Sequence, residues 1–157
     1  MGKVRDMVLQ QMERNEPIRV WIIDDTAFPK QGAHSVGVAR QYCGRLGKQD
    51  NCQVAVSLSL ANSHASLPVA YRLYLPKEWA QDETRRRKAG VPDDITFKTK
   101  PEIALEQIQW AHKLGLPGDV VVMDAGYGAN TDLRTNITDM GLQYVAGIKH
   151  LGVGTGK

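Results

Sequence analysis

The chain has 157 residues, 42% of them hydrophobic and 24% charged, with a formal net charge of +3. That size suits one domain around one core, and a charge so mild neither requires nor excludes a polyanionic partner. Two cysteines, Cys43 and Cys52, are too few for a disulfide framework and fit no common zinc spacing. No apolar run approaches the length of a membrane span, and the N-terminal stretch lacks the apolar centre of a secretory signal. Reduced thiols and a cytoplasmic location are the expectation, with no membrane partner.

In chain order, "VRDMVLQQMERN" carries Val4, Met7, Val8 and Met12 at helical spacing, and Pro17 marks its end. "RVWIIDD" follows as a strand with apolar residues on both faces, which predicts a central position in a sheet. Thr26 to Asn51, rich in glycine, lysine and arginine, reads as a long connection of the kind that is usually functional or disordered.

"CQVAVSLSLA" alternates Val54, Val56, Leu58 and Leu60 on one face, the period of a half-buried strand, and "LPVAYRLYLP" returns as its hairpin partner. "KEWAQDETRRRKAG" has helical character, and its Arg85–Lys88 run suits the negative end of a helix dipole. "TKPEIALEQIQWAHKLG" is a helix with a Thr99/Glu102 capping box, an apolar face of Ile103, Ala104, Ile108, Ala111 and Leu114, and Gly115 as terminator. Trp79 and Trp110 belong to helices as core or half-buried residues.

"GDVVVMDAGYG" is a second strand apolar on both faces. A short helix near Thr131–Met140 and a strand over "QYVAGIK" complete an α/β domain. His34, His64, His112 and His150 show no ligand spacing, and the "GVGTGK" tail lacks the first glycine of a phosphate-binding loop.

Two of these strands share a design: an apolar run, then a carboxylate. Asp25 and Asp124 would emerge at one sheet edge if their strands were neighbours. Converging carboxylates suit Mg²⁺ or Mn²⁺, hard cations that prefer oxygen ligands. Taken singly, each Asp reads better as a turn residue or helix cap, and it is the pairing that favours a metal site. Asp24 competes with Asp25 for the first position, because strand alternation lets only one of the two face a given site.

"WIIDDTAFPKQGAHSVGVARQYCGRLGKQDNCQVAVSLSL" and "VVMDAGYG" resemble the insertion-sequence transposases of the DDE type. The resemblance runs from about Val4 to Lys149. It implies a ribonuclease-H-like mixed sheet flanked by helices, spanning residues 1–150 as a partial catalytic domain, with 151–157 as a tail. Asp25 and Asp124 are then the first two catalytic and metal-binding residues, and Mg²⁺ or Mn²⁺ the cofactor. DNA is the implied partner, as transposon ends and target, and a homodimer is possible for the intact protein.

The resemblance also sets Lys30, His34, Arg40, Arg45 and Lys48 beside the site as DNA-phosphate contacts. The family's third ligand is a Glu on a later helix. Asp132 and Asp139 lie beyond Asp124, but on a helix that follows the strand at once, which does not match that place. The expectation is therefore a shortened catalytic domain without its Glu. A non-catalytic remnant with weak DNA binding and a ribonuclease-H-like nuclease are the alternatives.

Overall fold

The computed structural model describes residues 2–147, so His150, the tail and the end of the "QYVAGIK" strand lie outside the described residues. Helix α1 (Gly2–Glu13) leads into strand β1 (Val20–Pro29). Strands β2 (Ala39–Cys43), β3 (Lys48–Ala61) and β4 (Ser66–Leu73) follow. Helices α2 (Lys77–Gln81), α3 (Glu83–Lys88) and α4 (Lys100–Lys113) come next. Strand β5 (Val120–Met123), helices α5 (Ala125–Gly128) and α6 (Thr131–Asp139), and strand β6 (Gln143–Ala146) close the sequence of elements.

The six strands form one mixed sheet in the order β2-β3-β1-β5-β6, with β4 also paired to β3. Strand β1 is central. It runs antiparallel to β3 (Asp25 opposite Val56) and parallel to β5 (Ile22 opposite Val122). Helices flank this sheet, and the architecture is the ribonuclease-H-like α/β arrangement expected.

The core lies on one face. Trp21 and Ile23 of β1, Val56, Leu58 and Leu60 of β3, and Val121 and Met123 of β5 pack against Ile103, Ala104 and Ile108 of α4, and Leu133 and Ile137 of α6. Alternation sends Val20, Ile22, Val120 and Val122 to the opposite face, where they are only half-buried. Tyr71 and Val145 on that face are 58% and 59% exposed. Apolarity on both faces therefore located β1 in the middle of the sheet, but one face alone is sealed.

Other expectations need correction. Half of the presumed connection from Thr26 to Asn51 is strand: β1 continues to Pro29, and β2 and β3 form a hairpin across Gly44–Gly47. Its residues Lys48 to Asn51 are polar and largely exposed, so no apolar alternation marked them. The "KEWAQDETRRRKAG" stretch is two helices. Asp82 ends the first, donating its N–H to the Trp79 carbonyl, and caps the second by accepting from the Arg85 N–H at 2.9 Å.

Arg85 and Arg86 do more than face a dipole. Arg85 stacks over Trp79, 3.8 Å from the ring centroid, and donates to the carbonyl of Ala33 at 3.0 Å, while Arg86 binds the carbonyls of Pro92 and Ile95. In α1, Leu9 and Met12 enter the core whereas Val4 and Met7 are exposed, and in α4 Leu114 is exposed as well. Trp79 is fully buried and Trp110 is partly exposed. Cys43 and Cys52 are free and buried. Among the described residues no helix is long and apolar enough to cross a membrane.

Candidate active site

The parallel pairing of β1 with β5 brings Asp25, within β1, beside the end of β5. One residue past the paired stretch, β5 stops at Met123 and Asp124 turns the chain into α5. Asp124 Oδ1 accepts the N–H groups of Gly126 at 2.7 Å and Tyr127 at 3.1 Å, an N-cap that satisfies the first orphan donors of the helix. Gly128 seats that turn: a Cβ there would lie 2.5 Å from the Ala146 Cβ, so α5 rests on β6 without room for a side chain.

Asp25 lies on the same face of β1 as Trp21 and Ile23, pointing toward the helical layer. Its Oδ2 accepts from Lys100 Nζ at 2.5 Å, and its Oδ1 accepts the Tyr127 hydroxyl. Lys100 is the first residue of α4. The Thr99/Glu102 capping box, present as expected, holds the backbone there: Thr99 Oγ1 accepts the Glu102 N–H while Glu102 accepts the Thr99 N–H. Tyr127 thus links the two aspartates, its backbone on Asp124 and its hydroxyl on Asp25. Burial, reinforced by the hydrogen bond to Asp25, raises the Tyr127 phenol far above its ordinary pKa. The phenol thus keeps its proton and serves as a hydrogen-bond donor to Asp25.

Asp25 and Asp124 line one cleft of about 280 Å³, with Tyr74, Thr99, Lys100, Pro101, Gly126 and Tyr127. Asp24 is on the other face of β1 and exposed, its Oδ1 accepting the Asp25 N–H at 2.8 Å. Among the described residues no group of three or more His, Cys, Asp or Glu side chains could jointly hold a metal. Asp132 and Asp139 ride on α6 and do not join the cleft.

The five basic residues expected beside the site stand apart from it. Lys30 and His34 are exposed after β1, Arg40 on β2, Arg45 in the hairpin turn, and Lys48 opens β3 beside Asp50 at 3.3 Å. Arg40 pairs with Asn51, five positions before Val56, the partner of Asp25. At roughly 3.4 Å per residue Arg40 is about 17 Å from the Asp25 level, and Lys48 about 27 Å. None lines the cleft.

Lys100 and Tyr127 escaped the sequence reading. Tyr127 had a signal in its short "DAGYG" spacing to Asp124. Lys100 had none, because only the fold brings the start of α4 to Asp25 in β1.

Residues 2–152 match the family model described as DDE superfamily endonuclease. The chain belongs to that family. A protein of Microchaete diplosiphon described as "Probable transposase for insertion sequence element IS701" is 32% identical to this chain over 145 residues. The match takes in 92% of this chain and 35% of that relative, so the chain spans about a third of the relative's length. No solved structure matches this DDE-family chain.

Proposed function

We propose that this DDE-family domain carries the first two acidic ligands of a DNA transposase, Asp25 and Asp124, and takes Mg²⁺ or Mn²⁺ between them. The observation that supports this most is their convergence: two carboxylates from neighbouring parallel strands facing one cleft. Both are oxygen donors, as a hard cation requires. Of the two Asp124 carboxylate oxygens only Oδ1 accepts hydrogen bonds from the described residues, and Asp25 is held by partners on a half-exposed surface. The donor set fits such an ion. When bound, the metal would supply charge neutralisation and activation of a water or DNA 3′-hydroxyl for attack at a phosphodiester.

The chain's own residues do the positioning. Asp124 is fixed by the amides of α5, and Tyr127 orients Asp25 through a hydroxyl that stays protonated. The β2–β3 hairpin, with Arg40, Arg45 and Lys48, lies on the side toward which β1 continues past Asp25. Its cations suit phosphates of DNA running out of the cleft, a sequence-independent contact weakened by salt.

The engagement of both Asp25 oxygens by Lys100 and Tyr127 favours a second reading, a non-catalytic domain whose carboxylate serves the fold. One experiment separates them. Mn²⁺ titration by calorimetry should show binding that disappears in Asp25→Ala and Asp124→Ala. Affinity for duplex DNA should fall steeply with added salt. Two carboxylates are fewer ligands than a pair of metal ions needs, so this chain alone should not nick supercoiled DNA. Mn²⁺ affinity unchanged in both mutants would overturn the assignment.

A further inference from the structure

We propose that Lys100 is a displaceable internal cation, which holds Asp25 until a divalent metal claims the carboxylate and then takes a phosphate oxygen of DNA in the same cleft. The proposal rests on the metal-site reading above and adds a second task for the site.

Charge motivates it. Among the described residues, Lys100 is the one lysine or arginine that lines the cleft. Among the described lining residues, two carboxylates and one ammonium sum to one net negative charge, which repels a phosphodiester. A divalent cation reverses that to one net positive charge, the amount a single phosphodiester neutralises. The sequence of events is then ordered by electrostatics: metal first, DNA phosphate second.

Geometry permits the exchange. The Lys100 and Asp25 side chains are 30% and 33% exposed, so separating them strands neither charge in a dry interior. Thr99 and Glu102 fix the backbone of Lys100 while its four-carbon stem remains free to swing. The ammonium also lies 5.6 Å from the centroid of the Tyr74 ring, a cation–π contact that gives it a resting place inside the cleft once Asp25 is taken. Asp25 meanwhile keeps its orientation through Tyr127. An ammonium with three rotatable donors is well suited to a phosphate oxygen whose position shifts during binding.

The test uses the full chain with Lys100→Met and Lys100→Arg, Mn²⁺ as the metal, and a short duplex of random sequence as the DNA. Circular dichroism establishes that each variant is folded. Lys100→Met should bind Mn²⁺ about fivefold tighter, because the competing cation is gone. Its DNA affinity should drop about fivefold with Mn²⁺ present and by less than about twofold without it, when the negative cleft takes no phosphate, and Lys100→Arg should restore the Mn²⁺-dependent part. A lysine that merely supported the fold would change DNA binding equally in both conditions, and that result would overturn the proposal. So would a folded Lys100→Met that binds Mn²⁺ no tighter than the parent while Asp124→Ala abolishes binding. If the parent and Lys100→Met both fail to bind Mn²⁺, the metal-site reading falls and takes this proposal with it.

Discussion

Asp25 lies within β1 and Asp124 follows the end of the neighbouring β5, and the molecule satisfies them in opposite ways. Asp124 is served by amides two and three residues further along its own chain. Asp25 is served by side chains 75 and 102 residues away. The first arrangement is local and rigid, since it is the start of a helix. The second depends on the assembled fold and uses a long, mobile lysine. A site that must accept an ion benefits from one ligand held still and one that can exchange its partner.

The largest expected effect tests whether Asp124 is rigid because α5 is seated. Gly128→Ala would drive its Cβ to 2.5 Å from that of Ala146, forcing α5 off β6. Overpacking of this kind should destabilise the protein by about 3 kcal/mol and disturb the Asp124 cap with it. Urea unfolding measures the first consequence and Mn²⁺ titration the second. A variant of parental stability would mean that the α5–β6 contact is loose, and the claimed difference between the aspartates would lose its basis.

A smaller effect sharpens the comparison directly. Repulsion between two carboxylates would make deletion of either one stabilising. Lys100 changes that for Asp25: Asp25→Ala leaves an ammonium and a buried phenol without their acceptor, a loss of about 2 kcal/mol. Asp124→Ala removes a helix cap and should cost about 1 kcal/mol. Denaturant midpoints with a common m-value check both figures. Equal or reversed costs would show that the long-range partners of Asp25 contribute no more than a local cap.

The same contrast explains what the sequence revealed. The Thr99/Glu102 box, Gly115 and the end of β5 before Asp124 are short-range patterns, and each appears where expected, whereas β1 runs on past Asp25 to Pro29. The pairing of β1 with β5 was legible because both carry an apolar run ending in Asp. What stayed hidden depended on solvent exposure or on distance along the chain. Polar residues from Lys48 to Asn51 gave no alternation although they form strand, and the Arg85 and Arg86 side chains found backbone carbonyls in segments far from a simple dipole role. Lys100 sits in a helix start whose capping pattern says nothing about Asp25. Val20, Ile22, Val120 and Val122 argued for two sealed faces, but the described elements seal one.

The smallest expected effect decides between the two adjacent aspartates. Asp24 and Asp25 alternate across β1, so only Asp25 shares the face of Trp21 and Ile23 and enters the cleft. Asp24 is exposed, and its side chain accepts only the N–H of its neighbour among the described residues, at 2.8 Å. Its carbonyl, which Asp24→Ala would leave intact, accepts the Ser57 hydroxyl and ties β1 to β3. Asp24→Ala should therefore change stability by less than about 0.5 kcal/mol, the usual range for an exposed substitution. Mn²⁺ affinity should equal that of the parent, because the lost carboxylate is on the wrong side of the sheet to reach an ion between Asp25 and Asp124. Parallel titrations of Asp24→Ala and Asp25→Ala make the comparison. Binding abolished in the first and preserved in the second would move the ligand to the open face of the sheet, and the pairing of Asp25 with Lys100 would then be a structural ion pair.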